Sequence, residues 1–225
     1  MIDALVMTLG FEPGPLLSAI ASAAAEGFNQ GAQILVLTAA FPDERAERAW
    51  LELQRIVGMM NLPKELGVRL ERREVELSDF VRAVRRVKEV LAPLRDKRIR
   101  LSITGGMRAL NLAVFTAYLL IDWAHEPRID VYLEGRGTAL TLPSLHRILT
   151  LNLTETQRLI LSAMREGMAY TSSDLSAHVR KDRSTVYKNL LALQRLGLVA
   201  REGNRYRVTE LGAMILNSKP PQAVD

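Results

Sequence analysis

Apolar and polar positions change their period along this chain, and the changes mark out its elements. Residues 2–8 form a short, nearly continuous apolar run bounded by Gly10 and Pro13, the pattern of a buried strand. Residues 15–30 are rich in Ala and Leu and predict a helix. QILVLT, residues 33–38, predicts a second buried strand. Residues 43–60 carry Trp50, Leu53, Ile56 and Val57 at helical spacing. Residues 68–77 alternate apolar and charged positions, as a half-exposed strand does. Residues 78–91 predict an amphipathic helix capped by Ser78, with Phe80, Val84, Val87 and Leu91 on one stripe. Residues 99–104 predict a strand. Residues 109–123 are almost wholly apolar, which fits a helix in the core or one packed on a partner. Residues 129–133 and 138–142 predict strands joined by a turn at Gly135 and Gly137.

The pattern then turns mostly helical. Thr154 with Gln157 three residues on reads as a capping box opening a helix over residues 154–165. Thr171 with Asp174 marks a helix running to about His178. A third helix runs from Asp182 through Leu196 and is closed by Gly197. LVAREGNRYRVT reads as a hairpin around Gly203 and Asn204, and residues 209–216 as a final helix. The tail SKPPQAVD is expected to fray.

Strands alternating with helices imply an α/β fold: a Rossmann-like parallel sheet with helices on both faces, spanning 1–145. Helix, helix, helix, hairpin, helix is the order of a winged helix-turn-helix domain, here 154–217. Residues 146–153 are then a linker and 218–225 a flexible tail. In sheets of the first kind, ligands bind beyond the carboxyl ends of the strands near the switch point.

Charge divides along the same boundary. The 225 residues hold 30 Lys+Arg and 25 Asp+Glu, a net of +5. Residues 1–149 account for +1 of it and residues 150–225 for +4. Only Lys64, Lys88, Lys97, Lys181, Lys188 and Lys219 are lysines, an arginine bias that fits either a heat-tolerant source or a GC-rich genome. With no cysteine, disulfides, thiolate zinc sites and cysteine nucleophiles are excluded. Three scattered histidines (His125, His146, His178) argue against a zinc cluster. No apolar run is long enough for a membrane span, and no basic segment precedes the first apolar run. The expectation is a soluble, cytoplasmic protein without a membrane partner.

The third helix of the C-terminal domain begins with Asp182, Arg183, Ser184 and Thr185 and turns apolar only from Val186. Small polar and basic side chains at that end suit contact with base edges and phosphates of double-stranded DNA. Val186, Leu190, Leu193 and Leu196 form the stripe that holds the helix to its core. Arg180, Lys181, Tyr187 and Lys188 are further candidates for backbone contacts, and Arg201, Asn204 and Arg205 lie on the wing. Residues 165–207 hold nine basic and four acidic side chains. A winged helix used only for protein contacts is the alternative. This segment resembles MarR-type and related prokaryotic regulators.

The first domain has neither G-x-G-x-x-G after its first strand nor a G-x-x-x-x-G-K-[ST] loop, which disfavours a nicotinamide dehydrogenase or a P-loop ATPase. Two strand ends nevertheless suit an anion. The first strand is followed by Thr8, Leu9, Gly10, Phe11, Glu12, Pro13 and Gly14. The fourth is followed by Thr104, Gly105, Gly106, Met107 and Arg108. Successive glycines let a backbone approach a ligand, and free amides at a helix start favour negative charge. Arg108 adds a guanidinium fork and Thr104 a hydroxyl. In a parallel sheet both turns fall on one edge. A tight turn without a ligand is the alternative for each loop.

TLGFEPG after the first strand, ITGGMRALNLAV after the fourth and the C-terminal winged helix together resemble the CRISPR-associated Rossmann fold (CARF) family. More narrowly, the arrangement is similar to archaeal CRISPR-associated transcription regulators, over nearly the whole chain. The resemblance implies a homodimer whose Rossmann domains jointly bind a cyclic oligoadenylate, typically cyclic tetra-adenylate, across the twofold axis. It places Thr8, Leu9, Gly10 and Phe11 in the first ligand loop and Thr104, Gly105, Gly106, Met107 and Arg108 in the second. Asn111 lies one helical turn further on. Thr38 and the loop 39–41 (Ala39, Ala40, Phe41) after the second strand are expected walls, as are residues 77–80 after the third. Gly10, Gly14, Gly105 and Gly106, doubled by symmetry, would surround one ring. The apolar helix after TGGMR is a dimer surface or a core helix.

Some relatives cleave their ligand, commonly with a lysine to supply charge. Here neither loop offers a lysine or a histidine, and Arg108 is a poor proton carrier. A sensor is favoured over a ring nuclease, with slow cleavage kept as an alternative and no catalytic residue, metal or cofactor assigned. The expected function is a DNA-binding transcription regulator of CRISPR-linked genes controlled by that ring. A regulator sensing another phosphorylated metabolite is the third reading.

Overall fold

The computed structural model describes residues 1–60, 62, 66–133, 138–146 and 151–215. The chain divides into two compact units, Met1–His146 and Arg147–Asp225. The expected turn at Gly135 and Gly137, part of the linker and the tail lie outside the described residues.

In the first unit the elements follow in the order β1 (Ile2–Thr8), α1 (Gly14–Glu26), β2 (Phe28–Ala39), α2 (Glu44–Met59), β3 (Arg69–Val75) and α3 (Phe80–Leu91). After a 3₁₀ turn at Ala92–Leu94 come β4 (Ile99–Ser102), α4 (Arg108–Leu119), β5 (Arg128–Tyr132) and β6 (Ala139–Leu142). The sheet order is β3-β2-β1-β4-β5-β6. Strands β1 to β5 pair in parallel, and β6 runs antiparallel to β5 at the edge. This is the expected Rossmann-like sheet.

Strand alternation builds two cores, one on each face. Leu5, Met7, Ile34 and Val36 meet Leu16 and Ile20 of α1 and Trp50 and Leu53 of α2. Ala4, Val6, Leu35 and Leu37 meet Val84 and Val87 of α3 and Leu110 and Val114 of α4. Burying each such aliphatic side chain contributes roughly 1.5–3 kcal/mol. Because the crossovers lead from β1 outward to β3 and then back to β4, the direction in which strands are added across the sheet reverses between β1 and β4. The loops leaving these two adjacent strands flank the switch point.

Several boundaries differ from the sequence expectation. The helix expected over 15–30 stops at Glu26, because Gly27 takes φ +96 and Phe28 already pairs with Ile2 in the sheet. The cap of α3 is Asp79, whose carboxylate accepts from the Arg82 amide at 2.9 Å, while Ser78 donates to Glu76. Phe80 therefore sits at the first position of α3 and is exposed; Ala83 takes its expected place on the buried stripe. The core reading of the apolar helix holds for one side of α4. Leu110, Ala113, Val114, Ala117 and Tyr118 are core, whereas Leu112 and Leu120 are exposed.

Two polar networks pin the first unit. Arg100 on β4 is buried and donates to Asp130 on β5 at 2.6 and 3.1 Å, to Glu26 at 3.2 Å and to Ser22 at 3.2 Å. Arg128 and Thr141 complete the Asp130 carboxylate. At the other end of α4, Tyr118 donates its hydroxyl to Glu126. The His146 amide donates to the Tyr118 oxygen at 3.2 Å and to Glu126 at 3.0 Å. Burial and the Glu126 carboxylate push the Tyr118 hydroxyl well above its ordinary value, so it stays protonated.

The second unit holds α5 (Glu155–Ala163), β7 (Ala169–Tyr170), α6 (Ser172–Val179), α7 (Arg183–Arg195), β8 (Val199–Glu202), β9 (Arg205–Val208) and α8 (Glu210–Ile215). Both expected capping boxes are formed, Thr154 with Gln157 and Thr171 with Asp174. Val186, Leu190 and Leu193 are fully buried against Ile160, Leu175 and Leu198, and Leu196 packs half-buried beside them. The two-residue strand β7 extends the hairpin to a three-stranded sheet of order β7-β9-β8. This is the expected winged helix-turn-helix domain.

Candidate functional site

The loops after β1 and β4 touch each other through their backbones. A Cβ built on Gly10 would lie 2.6 Å from the Gly106 nitrogen and 3.0 Å from its Cα. A Cβ on Gly105 would press on the Thr8 carbonyl oxygen and lie 3.2 Å from the Gly10 nitrogen. Gly106 holds φ +88, a left-handed conformation that favours glycine. These glycines are thus required first for one loop to pack on the other. Gly14, by contrast, has open space around it and opens α1.

Together the loops form the floor of a cleft of about 330 Å³. Of the residues expected at the ligand site, Leu9, Gly10, Phe11, Thr38, Ala39, Thr104, Gly105, Gly106 and Met107 line it, with the expected wall residue Phe41. Thr8, Arg108 and Asn111 do not. Thr8 is buried at the end of β1 with its hydroxyl unpartnered; Asn111 has a buried, unpartnered Oδ1. Arg108 is exposed at the first position of α4. Residues 77–80 do not line the cleft either, since Leu77 turns into the core and α3 starts on the opposite face.

Glu12, Pro15, Asp43 and Ala46 line the cleft without having been expected there. Asp43 caps α2, and its carboxylate accepts from the Arg45 amide at 2.8 Å and from the Arg45 guanidinium at 3.1 and 3.3 Å. These hydrogen bonds from Arg45 hold Asp43 below the usual carboxylate range. The Arg45 guanidinium in turn lies 4.1 Å from the centroid of the Phe11 ring. Thr104 accepts from the Tyr132 amide at 2.8 Å, which leaves its hydroxyl proton free to donate.

Helix caps separate the elements around the cleft. Helices α2, α3, α5, α6 and α7 each begin under a side-chain cap. Helices α1 and α4, which begin just after the two touching loops, have none and carry no acidic residue in their first turns. The first amides of α4 are donors without a side-chain acceptor at its positive end; in α1, Pro15 has no N–H and the Leu16 amide donates to the Pro13 carbonyl, which leaves the Gly14 amide.

In the second unit, Ser172, Arg183, Ser184, Tyr187, Arg201, Asn204 and Tyr206 line one open cleft between α7 and the hairpin. Five of these were expected at the DNA face; Ser172 and Tyr206 were not. Arg183 donates to Ser172 at 3.3 Å, Arg201 donates to the Gly203 carbonyl at 2.8 Å, and the Tyr206 hydroxyl is buried without a partner. Ser184 and Thr185 donate their hydroxyls to Asp182 at 2.6 and 2.7 Å, so the small polar residues at the tip of α7 are tied to its cap. Those two hydrogen bonds hold the Asp182 carboxyl far below its ordinary value. Arg180, Lys181, Lys188 and Arg205 are exposed outside this cleft. Arg180 has φ 51, the left-handed turn between α6 and α7.

Among the described residues no group of His, Asp and Glu could hold a metal ion, and no described helix is long and apolar enough to cross a membrane. Residues 3–143 match the family described as Csa3 CRISPR-associated Rossmann-like domain. Residues 154–201 match the family described as bacterial regulatory protein, arsR family. No curated protein matches the chain. Among solved structures, Enterococcus italicus Csm6 bound to cyclic hexa-2'-fluoro-hexa-dAMP is similar, with 11% sequence identity and a TM-score of 0.47. That similarity covers 89% of this chain and 56% of that one, so the chain spans little more than half the length of that protein.

Proposed function

Because the chain belongs to the Csa3 family of CRISPR-associated Rossmann-like domains, we propose that it is a CRISPR-linked, DNA-binding transcription regulator switched by a cyclic oligoadenylate. The helix caps carry this reading. At the one place where two crossover helices begin beside the switch point, both are left uncapped, and the loops before them are locked together. Such a pair of helix starts suits phosphodiester groups.

The ring would be cyclic tetra-adenylate, whose twofold character matches two copies of this site in a homodimer. Arg108, exposed beside the cleft, is placed to reach the ring's phosphates. The winged helix unit supplies the output in the cytoplasm, with Arg183, Arg201 and Asn204 grouped at one face of α7 and the hairpin. Ligand regulates only if it binds the DNA-competent and DNA-incompetent dimers with different affinity.

The test is a calorimetric titration of the full chain with cyclic tetra-adenylate, followed by recovery of the ligand. The expected result is one intact ring per two chains. Equal affinity for linear mononucleotides would overturn the ligand class, and repeated turnover to linear product would make the protein a ring nuclease. Operator DNA bound equally with and without the ring would sink the regulatory coupling while leaving both sites in place.

A further inference from the structure

The cleft and its rim differ in charge. None of the residues lining the cleft is Lys, Arg or His, while Glu12 and Asp43 both are acidic. A phosphate inside would face Glu12, and the nearby Arg45 guanidinium is already engaged by the Asp43 carboxylate. The donors suited to phosphate lie instead at the uncapped starts of α1 and α4 and at Arg108. What the cleft offers is apolar and planar surface: Phe11, Phe41 and Met107 are all exposed there, and the Arg45 guanidinium stacks over one face of the Phe11 ring, 4.1 Å from its centroid. Aromatic rings and guanidinium planes are the surfaces on which unstacked bases rest.

We propose, resting on the cyclic oligoadenylate reading above, that this cleft receives a base of the ring and that Glu12 selects it by its exocyclic amine. The two carboxylates are not equivalent. Asp43 is engaged by the Arg45 side chain and by the start of α2. Glu12 makes no hydrogen bond or ion pair among the described residues. An ionised carboxylate only accepts hydrogen bonds. It therefore favours the N6 amine of adenine and opposes a carbonyl oxygen at the same position. Glu12 is a specificity residue in this account, Phe11 and Arg45 form the shelf the base lies on, and Asp43 holds Arg45 in place.

Hypoxanthine has the shape of adenine with a carbonyl in place of the amine, so it isolates the feature in question. The experiment measures binding of cyclic tetra-adenylate and cyclic tetra-inosinate to the full-length protein and to Glu12→Gln. The wild type should prefer the adenine ring by on the order of tenfold or more, the effect of one hydrogen bond to a charged group. Glu12→Gln should narrow that gap to about twofold, because an amide both accepts from an amine and donates to a carbonyl. Glu12→Gln with undiminished preference for adenine overturns the assignment of Glu12. Equal wild-type binding of both rings overturns base selection by the cleft and leaves the proposed ligand class standing. A wild type that binds neither ring overturns both. Glu12 is exposed, so its replacement leaves the core intact, and matching thermal unfolding curves confirm that the two proteins are compared in the same fold.

Discussion

Gly10 and Gly106 stand so close that one methyl group on the first would lie 2.6 Å from the backbone nitrogen of the second. The contact joins the ends of β1 and β4, and no side chain can yield to relieve it. Gly10→Ala is expected to destabilise the first unit by about 1–3 kcal/mol, the usual range for overpacking. It should also weaken ring binding. Operator binding without ring should be unchanged, since the winged helix unit has its own core. Thermal unfolding, calorimetry and a mobility shift check the three parts; full ring affinity in Gly10→Ala would show that the loop contact does not shape the cleft.

Asp182 ties up the hydroxyls of Ser184 and Thr185 and adds a negative charge at the tip of the proposed recognition helix. Asp182→Asn keeps a capping side chain but removes the charge. Duplex affinity should rise by about twofold or more, with the gain shrinking as salt screens it. Fluorescence anisotropy across a salt series reads this directly, and a loss of affinity would mean that Asp182 contributes to the DNA face rather than opposing it.

Arg183 and Arg201 reach the same cleft from α7 and from the hairpin. If each neutralises one phosphate, Arg183→Ala and Arg201→Ala should each lower the slope of log affinity against log salt by about 0.9. The losses should be similar for specific and unrelated duplexes. Unchanged slopes in both variants would remove phosphate contact from this cleft.

Burial raises the Asp130 carboxyl, but hydrogen bonds from Thr141 and Arg100, the Arg100 charge and a hydrogen bond from Arg128 outweigh it and leave it below its ordinary value of 3.8. A carboxyl lowered on folding stabilises the native state above its unfolded value, and that stability disappears as pH falls through the folded value. Asp130→Asn strands the buried Arg100 without its main partner and should cost about 3–5 kcal/mol at pH 7. The gap to wild type should narrow below about pH 4. Urea unfolding at pH 7 and pH 3.5 checks this; a gap that stays constant would show that Asp130 does not titrate with folding.

Much of the fold was legible because its period is strong. The unbroken apolar runs Leu5-Val6-Met7 and Ile34-Leu35-Val36 report strands buried on both faces, and so a sheet with helices on each side. Thr154 with Gln157 and Thr171 with Asp174 announce helix starts that the structure keeps. Other features leave no such trace. A two-residue strand such as β7 has no period to detect. Phe28 and Asn29 follow an Ala-rich helix, and only the left-handed Gly27 shows that the helix has ended. Asp79 outcompetes the adjacent Ser78 as a cap, a choice made by one residue of register. In the cleft, Glu12 lies within the first glycine loop but outside its expected contacts, and Pro15, Asp43 and Ala46 stand outside the glycine pattern altogether. Pro42-Asp43 directly after a buried strand was the available signal: a capped helix start at the same sheet edge. The glycine pairs are visible in the sequence, but the loop-on-loop packing that crowds Gly10 and Gly105 is not.

Helix α4 has one end at the cleft and the other at the last residue of its unit. Its uncapped first turn follows Gly106 and Met107, and its last full turn carries Tyr118, whose hydroxyl and acid partner hold the His146 amide. At 1.5 Å per residue the helix is a rod of about 18 Å. Rods of that length do not compress, so a shift of the first turn at the cleft is carried within this unit to Tyr118 and to the His146 amide that its hydroxyl holds.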